Sequence, residues 1–448
     1  MLDVEASLAE AEADAGIVPA EAAASIVSCC RVEHFDVDTL GHEARLGANP
    51  VIPLVTALRE LAGDAGDFVH FGATSQDILD TAAMLIVKQA SGLVLYDLRR
   101  LAAAASTLTE SHRQTLTVAR TLLQHALPTT FGLKAASWLN AALDVGELLD
   151  RLARTRLAVQ LGGAAGTLAA LGEDGPAVLE GVAGRLDLQV PVLPWHSDRT
   201  RMAEVASVFA TAAGSAGKIA LDVALLMQSE VAEASEPSAP GRGSSSSMPH
   251  KRNPALSVAA LASARRAAGL VPVMLGSMIQ EHERGLGSIQ VESLTLTELL
   301  RASGGAVGTM ADVLEGLELD EGRMVELLGS DRGLLMAERL AGELAKCLGR
   351  EQASRLVTEA SRATAGRPAG GALGEEVIRR LPPGCGVTAE DIDGWQDPRG
   401  YLGAADWFID RALARQRVAQ AAMPASVPST RGAARHAPAG TGPEEHGS

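Results

Sequence analysis

A chain of 448 residues, 47% apolar and 21% charged, carries enough hydrophobic material for a large core and for two or three domains. Its formal charge of −16 argues against a nucleic-acid or anionic membrane-surface partner, while leaving room for a local basic pocket around an anionic substrate. Aromatic residues make up only 3%, so Ala, Leu and Val must fill the interior, which suits closely packed helices better than sheets. The four cysteines, Cys29, Cys30, Cys347 and Cys385, show no metal-type spacing, and no secretory leader is evident. The expectation is a reduced, cytoplasmic protein without a metal. No apolar run approaches a membrane span, so no membrane partner is expected.

Apolar residues Leu2, Val4, Leu8, Ala11 and Ala15 recur at helical spacing from the first turn. A second helix is predicted from Pro19 to Cys29, and a third stretch from Leu46 to Leu61 is interrupted by Asn49-Pro50. Next comes His70-Phe-Gly-Ala-Thr-Ser-Gln-Asp77, a hydroxyl-rich turn ahead of a helix predicted over about Ile78 to Val87, with Ser75 or Asp77 as N-cap. Backbone N–H groups at such a start, with the Thr74 and Ser75 hydroxyls, make a carboxylate or phosphate site; a plain capped turn with a hydrogen-bonded His70 is the competing reading.

Long helices are expected from about Gly92 to Leu328. Trp138, Ala142, Val145, Leu149 and Leu152 form a four-three seam, and Met202 to Glu236 is apolar on most faces, as in a helix surrounded by others. Strand-like alternation is nearly absent, and no dinucleotide fingerprint, phosphate loop or zinc spacing occurs. Three polar stretches stand out in this region: Arg120 to Thr130 with Gln124 and His125, Trp195-His-Ser-Asp-Arg199, and Gln280-Glu-His-Glu-Arg284. Taken singly they read as a helix-breaking bend, an N-cap and a solvated charge run. Beyond Asp331 the helices shorten and become more charged, and Ala422 to Ser448 has the Pro, Ala, Gly and Ser content of a disordered tail.

The stretch least like plain helix packing is Gly241-Arg-Gly-Ser-Ser-Ser-Ser-Met-Pro-His-Lys-Arg-Asn-Pro254. Four serines between Gly243 and Pro249 read as a mobile loop, and Met248, Lys251 and Asn253 follow them with a cation and an amide that a mere linker would not need.

These residues resemble the signature of the fumarase/aspartase superfamily, usually Gly-Ser-Ser-x-Met-Pro-x-Lys-x-Asn-Pro. His70 to Asp77 and Arg120 to Pro128 are similar to its first and second regions. Thr130-Phe-Gly-Leu-Lys-Ala-Ala136, Gln160 to Thr167, Pro194-Trp-His196, Gln280 to Arg284 and Tyr401-Leu-Gly403 look most like the bacterial 3-carboxy-cis,cis-muconate cycloisomerases. The resemblance implies an all-α fold of three mainly helical domains. It places an N-terminal domain at 1–92 without the family's first segment, a central bundle at 93–330 bearing loop 241–254, a small domain at 331–421 and a tail at 422–448. It also implies a cofactor-free homotetramer with shared active sites, acting on a small di- or tricarboxylate.

The implied chemistry runs through a doubly negative aci-carboxylate. Ser245 takes the place of the family's base, Lys251 and Asn253 that of donors to developing charge, and His125 that of a substitute acid. His70, Thr74, Ser75, Gln124, Ser246, Met248 and Arg284 would bind substrate. Many members carry a histidine where this chain has Leu122, and its lack separates the chain from fumarases and from argininosuccinate and adenylosuccinate lyases. Cycloisomerases usually carry tryptophans where this chain has Ile289 and Ser293, and Ser244 replaces the motif's glycine. A cycloisomerase of aromatic-acid catabolism is the first reading. A C–N lyase releasing fumarate from a succinyl-type substrate is the second, and a non-catalytic helical assembly the third.

Overall fold

The computed structural model describes residues 1–238, 248, 251–365 and 371–421. Ser244, Ser245 and Ser246, most of the serine loop, part of the bend near 370 and the tail from 422 lie outside the described residues. The chain opens with α1 (Leu2–Asp14), α2 (Ala20–Cys29), α3 (Val37–Gly47) and α4 (Val51–Ala62). The bundle follows: α5 (Ser75–Ser111), α6 (Phe131–Thr155), the short α7 (Gly175–Leu186), α8 (Thr200–Leu226), α9 (Ala255–Gly276) and α10 (Ser288–Glu315). Next are α11 (Glu321–Ser330), α12 (Ala337–Leu348), α13 (Arg350–Ala365), α14 (Leu373–Ile378), α15 (Ala389–Trp395) and α16 (Ala405–Ala421).

One apolar core joins Val4, Ile26, Leu58, Val69 and Ile78. A larger core begins on the same helix at Met84 and runs through the bundle, taking in the predicted seam from Trp138 to Leu152. A third joins Leu340, Leu344, Val357, Val377 and Ile392. Residue 92 falls inside α5, and Ile409 and Leu413 of α16 return to the bundle core, so neither marks a break in packing.

The helix predicted to end near Val87 continues to Ser111. Gly92 does not stop it, because a helical glycine costs only about 1 kcal/mol against alanine and the two cores hold both halves in place. The stretch read as a bend at Arg120 is a hairpin, β1 (Leu116–Thr121) on β2 (Gln124–Thr130), with Leu122-Leu123 as its two-residue turn. Both leucines have left-handed φ (53° and 63°), where Asn-Gly is the favoured choice, so the sequence carried no turn signal. A second two-stranded pairing joins β3 (Ala234–Ser235) to β4 (Glu318–Leu319).

The expectation that no apolar run reaches a membrane span is corrected: α5, α8 and α9 are long and apolar enough by length and composition to cross one. Their apolar character is accounted for by helix packing. On α9, Ala260, Ala264, Ala267, Leu270 and Met274 are buried along one stripe, while Val258, Val273 and Leu275 are exposed on the remaining surface.

Candidate active site

The predicted site residues that are described fall into two groups at opposite ends of the bundle. The first surrounds the start of α5. Thr74, not Ser75 or Asp77, is the N-cap, in a capping box whose Asp77 side chain accepts from Thr74 N–H at 3.0 Å. Asp77 occupies the third helical position, from which it bonds back to the N-cap instead of serving as the cap itself. Arg284 donates to Thr74 Oγ1 (2.9 Å) and to the carbonyls of Gly163 (3.3 Å) and Ala164 (3.0 Å). It makes no ion pair with a carboxylate among the described residues, which leaves a full positive charge resting on neutral oxygens beside a helix N-terminus. Ser75 opens α5 in the same turn. His70, also at positive φ, donates from Nδ1 to the buried Glu5 at 2.7 Å. A carboxylate only accepts, so the Nδ1 proton is fixed and Nε2 is the atom left to meet a ligand.

A buried polar network backs this turn. Arg199 lies between Asp80 (2.8 and 2.9 Å) and Glu292 (3.1 Å), joining the starts of α5, α8 and α10. Burial pushes the Glu292 carboxyl up, against the pull of its bonds to Arg199. Asp77 accepts from His196 Nε2 at 2.7 Å, and Gln76 donates to the His196 carbonyl at 2.7 Å.

The second group lies at the far end of α5. Gln124 and His125 sit at the head of β2, Gln124 exposed and His125 bonded through Nδ1 to Asp331 at 2.7 Å. The turn residues Leu122 and Leu123 project from the same tip, 96% and 74% exposed. Arg120 forms a bidentate pair with the buried Glu233 (2.8 and 2.9 Å), tying the hairpin to the segment after α8. Glu236 accepts from the first N–H groups of α9, Leu256 at 3.0 Å and Ser257 at 2.7 Å. The start of α9 is thus already neutralised; among the described residues Lys251 is an exposed cation there, next to Arg252, which reaches the Glu236 carbonyl and Glu318, with Asn253 partly buried and Met248 exposed. Lys134, in the first turns of α6, has its ammonium pushed down by burial, with Asp222, Lys218, Arg120 and Glu233 as charged neighbours. Sequence reading missed Lys134, Glu5, Asp77, His196, Glu233 and Glu236 as participants. Only Lys134, Asp77 and His196 carried any signal, as members of the motif blocks.

Within one chain the two groups do not meet. α5 alone spans roughly 55 Å from Thr74 to the hairpin. No group of three or more His, Cys, Asp or Glu side chains among the described residues could hold a metal.

A family model described as a lyase matches residues 2–269. A 3-carboxy-cis,cis-muconate cycloisomerase from Bradyrhizobium diazoefficiens is 43% identical over 418 residues, covering 92% of each chain. A nitrosuccinate lyase from Streptomyces davaonensis is 42% identical over 431 residues, covering 92% of this chain and 89% of the relative. Among solved structures, a 3-carboxy-cis,cis-muconate lactonizing enzyme from Pseudomonas putida superposes with a TM-score of 0.87 at 39% identity, over 93% of this chain and 94% of that one. With that family match over more than half its length, and with relatives this similar along nearly all of it, the chain belongs to the fumarase/aspartase superfamily of lyases and has its fold.

Proposed function

We propose that this enzyme is a 3-carboxy-cis,cis-muconate cycloisomerase, closing a carboxymuconate to its lactone in the β-ketoadipate pathway of aromatic-acid catabolism. The observation that carries the reading is the similarity along nine-tenths of the chain to enzymes of that name, joined to Leu122 at the place where other superfamily members hold a histidine.

In the lactonising direction a carboxylate oxygen of the substrate adds to a conjugated double bond. The electron pair moves into the neighbouring carboxyl as an aci-carboxylate, and a proton is then delivered to its α-carbon. Ser245 is the base of the reverse elimination and, by microscopic reversibility, the proton donor here. Lys251 and Asn253 donate to the doubly charged carboxyl, a contribution typically worth about 10²–10³ in rate. Thr74, Ser75 and Arg284 hold a substrate carboxylate at the start of α5, with His70 Nε2 beside them, while Gln124, Ser246 and Met248 line the catalytic side. His125, held by Asp331, is the alternative acid.

Because these groups lie at opposite ends of one chain, a working site needs a second chain running antiparallel to the first. The exposed Val258, Val273 and Leu275 of α9 and the exposed Leu122-Leu123 tip support a homotetramer with shared sites. Purified protein given 3-carboxy-cis,cis-muconate should abolish its conjugated-diene absorbance, and Ser245→Ala should not.

A second reading has its own support. The nitrosuccinate lyase is as similar as the cycloisomerases, and α10 begins with Ile289 and Ser293, whose hydroxyl bonds back to the Ile289 carbonyl at 2.9 Å, in place of tryptophans. The same aci-carboxylate would then expel a nitrogen leaving group and release fumarate. Fumarate formed from a nitrogen-substituted succinate, with the carboxymuconate diene untouched, would decide for it.

A further inference from the structure

We propose that Asp77 is the positioning residue of the carboxylate clamp, fixing where Arg284 stands; this rests on the reading of Arg284 as a substrate-carboxylate ligand. The argument begins with the burial of Asp77. Its side chain is 0% exposed and accepts five hydrogen bonds from three separate segments of the chain. Oδ2 accepts from Thr74 N–H (3.0 Å) and Gly163 N–H (2.9 Å); Oδ1 accepts from Gly162 N–H (3.0 Å), His196 Nε2 (2.7 Å) and, at 3.5 Å, Gln160 Nε2. A carboxylate is the one side chain of that size that accepts from so many donors without presenting one of its own.

The important pair is on Oδ2. Asp77 ties Thr74 to Gly163 from beneath, through their N–H groups, and Arg284 bridges the same two residues from above, through Thr74 Oγ1 and the Gly163 carbonyl. The spacing of two of the three seats on which the guanidinium rests, the third being the adjoining Ala164 carbonyl, is therefore set by one oxygen atom.

The packing leaves little slack for any other arrangement. A Cβ at Gly163 would lie 2.8 Å from the Gly72 carbonyl, and one at Gly162 would lie 2.8 Å from His196 Cε1 and from Pro194 Cβ. The segments converge at backbone contact, so they cannot close further if the central acceptor is lost. An asparagine at 77 has the same shape but turns an NH₂ toward N–H donors whichever way it lies, and the repulsion must push the Gly162-Gly163 segment off the helix start.

The prediction concerns binding, because Arg284 holds a carboxylate that is charged before and after the chemical step. Losing such an interaction raises KM with little change in kcat. Asp77→Asn should raise KM at least tenfold with kcat within about threefold of wild type. The decisive measurement is a double-mutant cycle with Arg284→Ala, read both as kcat/KM for 3-carboxy-cis,cis-muconate and as the Kd of tricarballylate, a non-reacting tricarboxylate, by calorimetry. Asp77→Asn should weaken tricarballylate tenfold in the wild-type background and less than twofold in the Arg284→Ala background. Equal losses in both backgrounds, or a fall in kcat without a rise in KM or Kd, would overturn the proposal. If Asp77→Asn does not fold, Asp77→Glu keeps the acceptors but displaces them, and carries the same cycle with the same criteria. Should the wild type leave the diene untouched, the cycloisomerase reading falls while the tricarballylate cycle still decides the role of Asp77.

Discussion

Glu12 on α1 is fully buried, and neither carboxyl oxygen has a hydrogen-bond partner among the described residues. Burial, reinforced by the negative Glu5 two helical turns earlier, pushes its pKa up to about 8. In the unfolded chain it titrates near the ordinary carboxylate value, so between pH 4.5 and 8 the unfolded state ionises while the folded state holds its proton. Stability is therefore greatest below the unfolded pKa and falls as pH rises toward 8. At about 1.4 kcal/mol per pH unit the loss reaches the order of 4–5 kcal/mol at pH 8. Glu12→Gln removes the ionisation and keeps the shape. The variant should match wild type at pH 4.5–5 and melt progressively higher above it, by about 4–5 °C at pH 8 for a chain of this length. Thermal melting followed by circular dichroism from pH 5 to 8.5 measures this directly. Melting curves for the two proteins that stay parallel across the range would refute the burial argument.

Three other outcomes follow from the site. Lys251→Met should lower turnover by about 10²–10³ with the melting temperature unchanged, since the side chain is exposed and its proposed role is to serve developing charge. Arg199→Met strands Asp80 and Glu292 in the core without their cation; a loss of roughly 3–5 kcal/mol is expected in denaturant unfolding, far beyond that of any surface arginine. Gly163→Ala combines a left-handed φ of 68° with a Cβ 2.8 Å from the Gly72 carbonyl, and should weaken substrate binding and cost about 1–3 kcal/mol of stability.

The long helices and the seam from Trp138 to Leu152 were legible because their periodicity is local, and the motif blocks were legible because each is contiguous. What could not be read depends on partners distant in the chain. Asp77 looks like a capping residue until Gly162, Gly163 and His196, some eighty to 120 positions on, are seen around it. His70 and His125 each had a bland reading as hydrogen-bonded histidines; their carboxylate partners, Glu5 and Asp331, lie 65 and 206 positions away. The hairpin escaped notice for a different reason. Leu122-Leu123 occupies a turn that normally selects glycine or asparagine, a strained choice that leaves two leucines in solvent on this chain.

That exposed tip and the length of α5 lead to a test of how the site is shared. Arg284 belongs to the end of the bundle at Thr74, Lys251 to the end at the hairpin, and about 55 Å of helix separates them in one chain. If each site draws its Arg284 and its Lys251 from different subunits, the variants Arg284→Ala and Lys251→Met are each inactive for a separable reason. Co-expressed, they assemble hybrids in which some sites receive the intact arginine from one parent and the intact lysine from the other. Random mixing in equal amounts gives each position a one-half chance of being intact, so about a quarter of sites, and about a quarter of wild-type activity, should return. A site built within one chain cannot recover in this way, because every chain carries one of the two lesions. Activity of the co-expressed pair no greater than that of the two variants assayed separately would show that Arg284 and Lys251 do not combine across subunits, and the antiparallel arrangement would have to be abandoned.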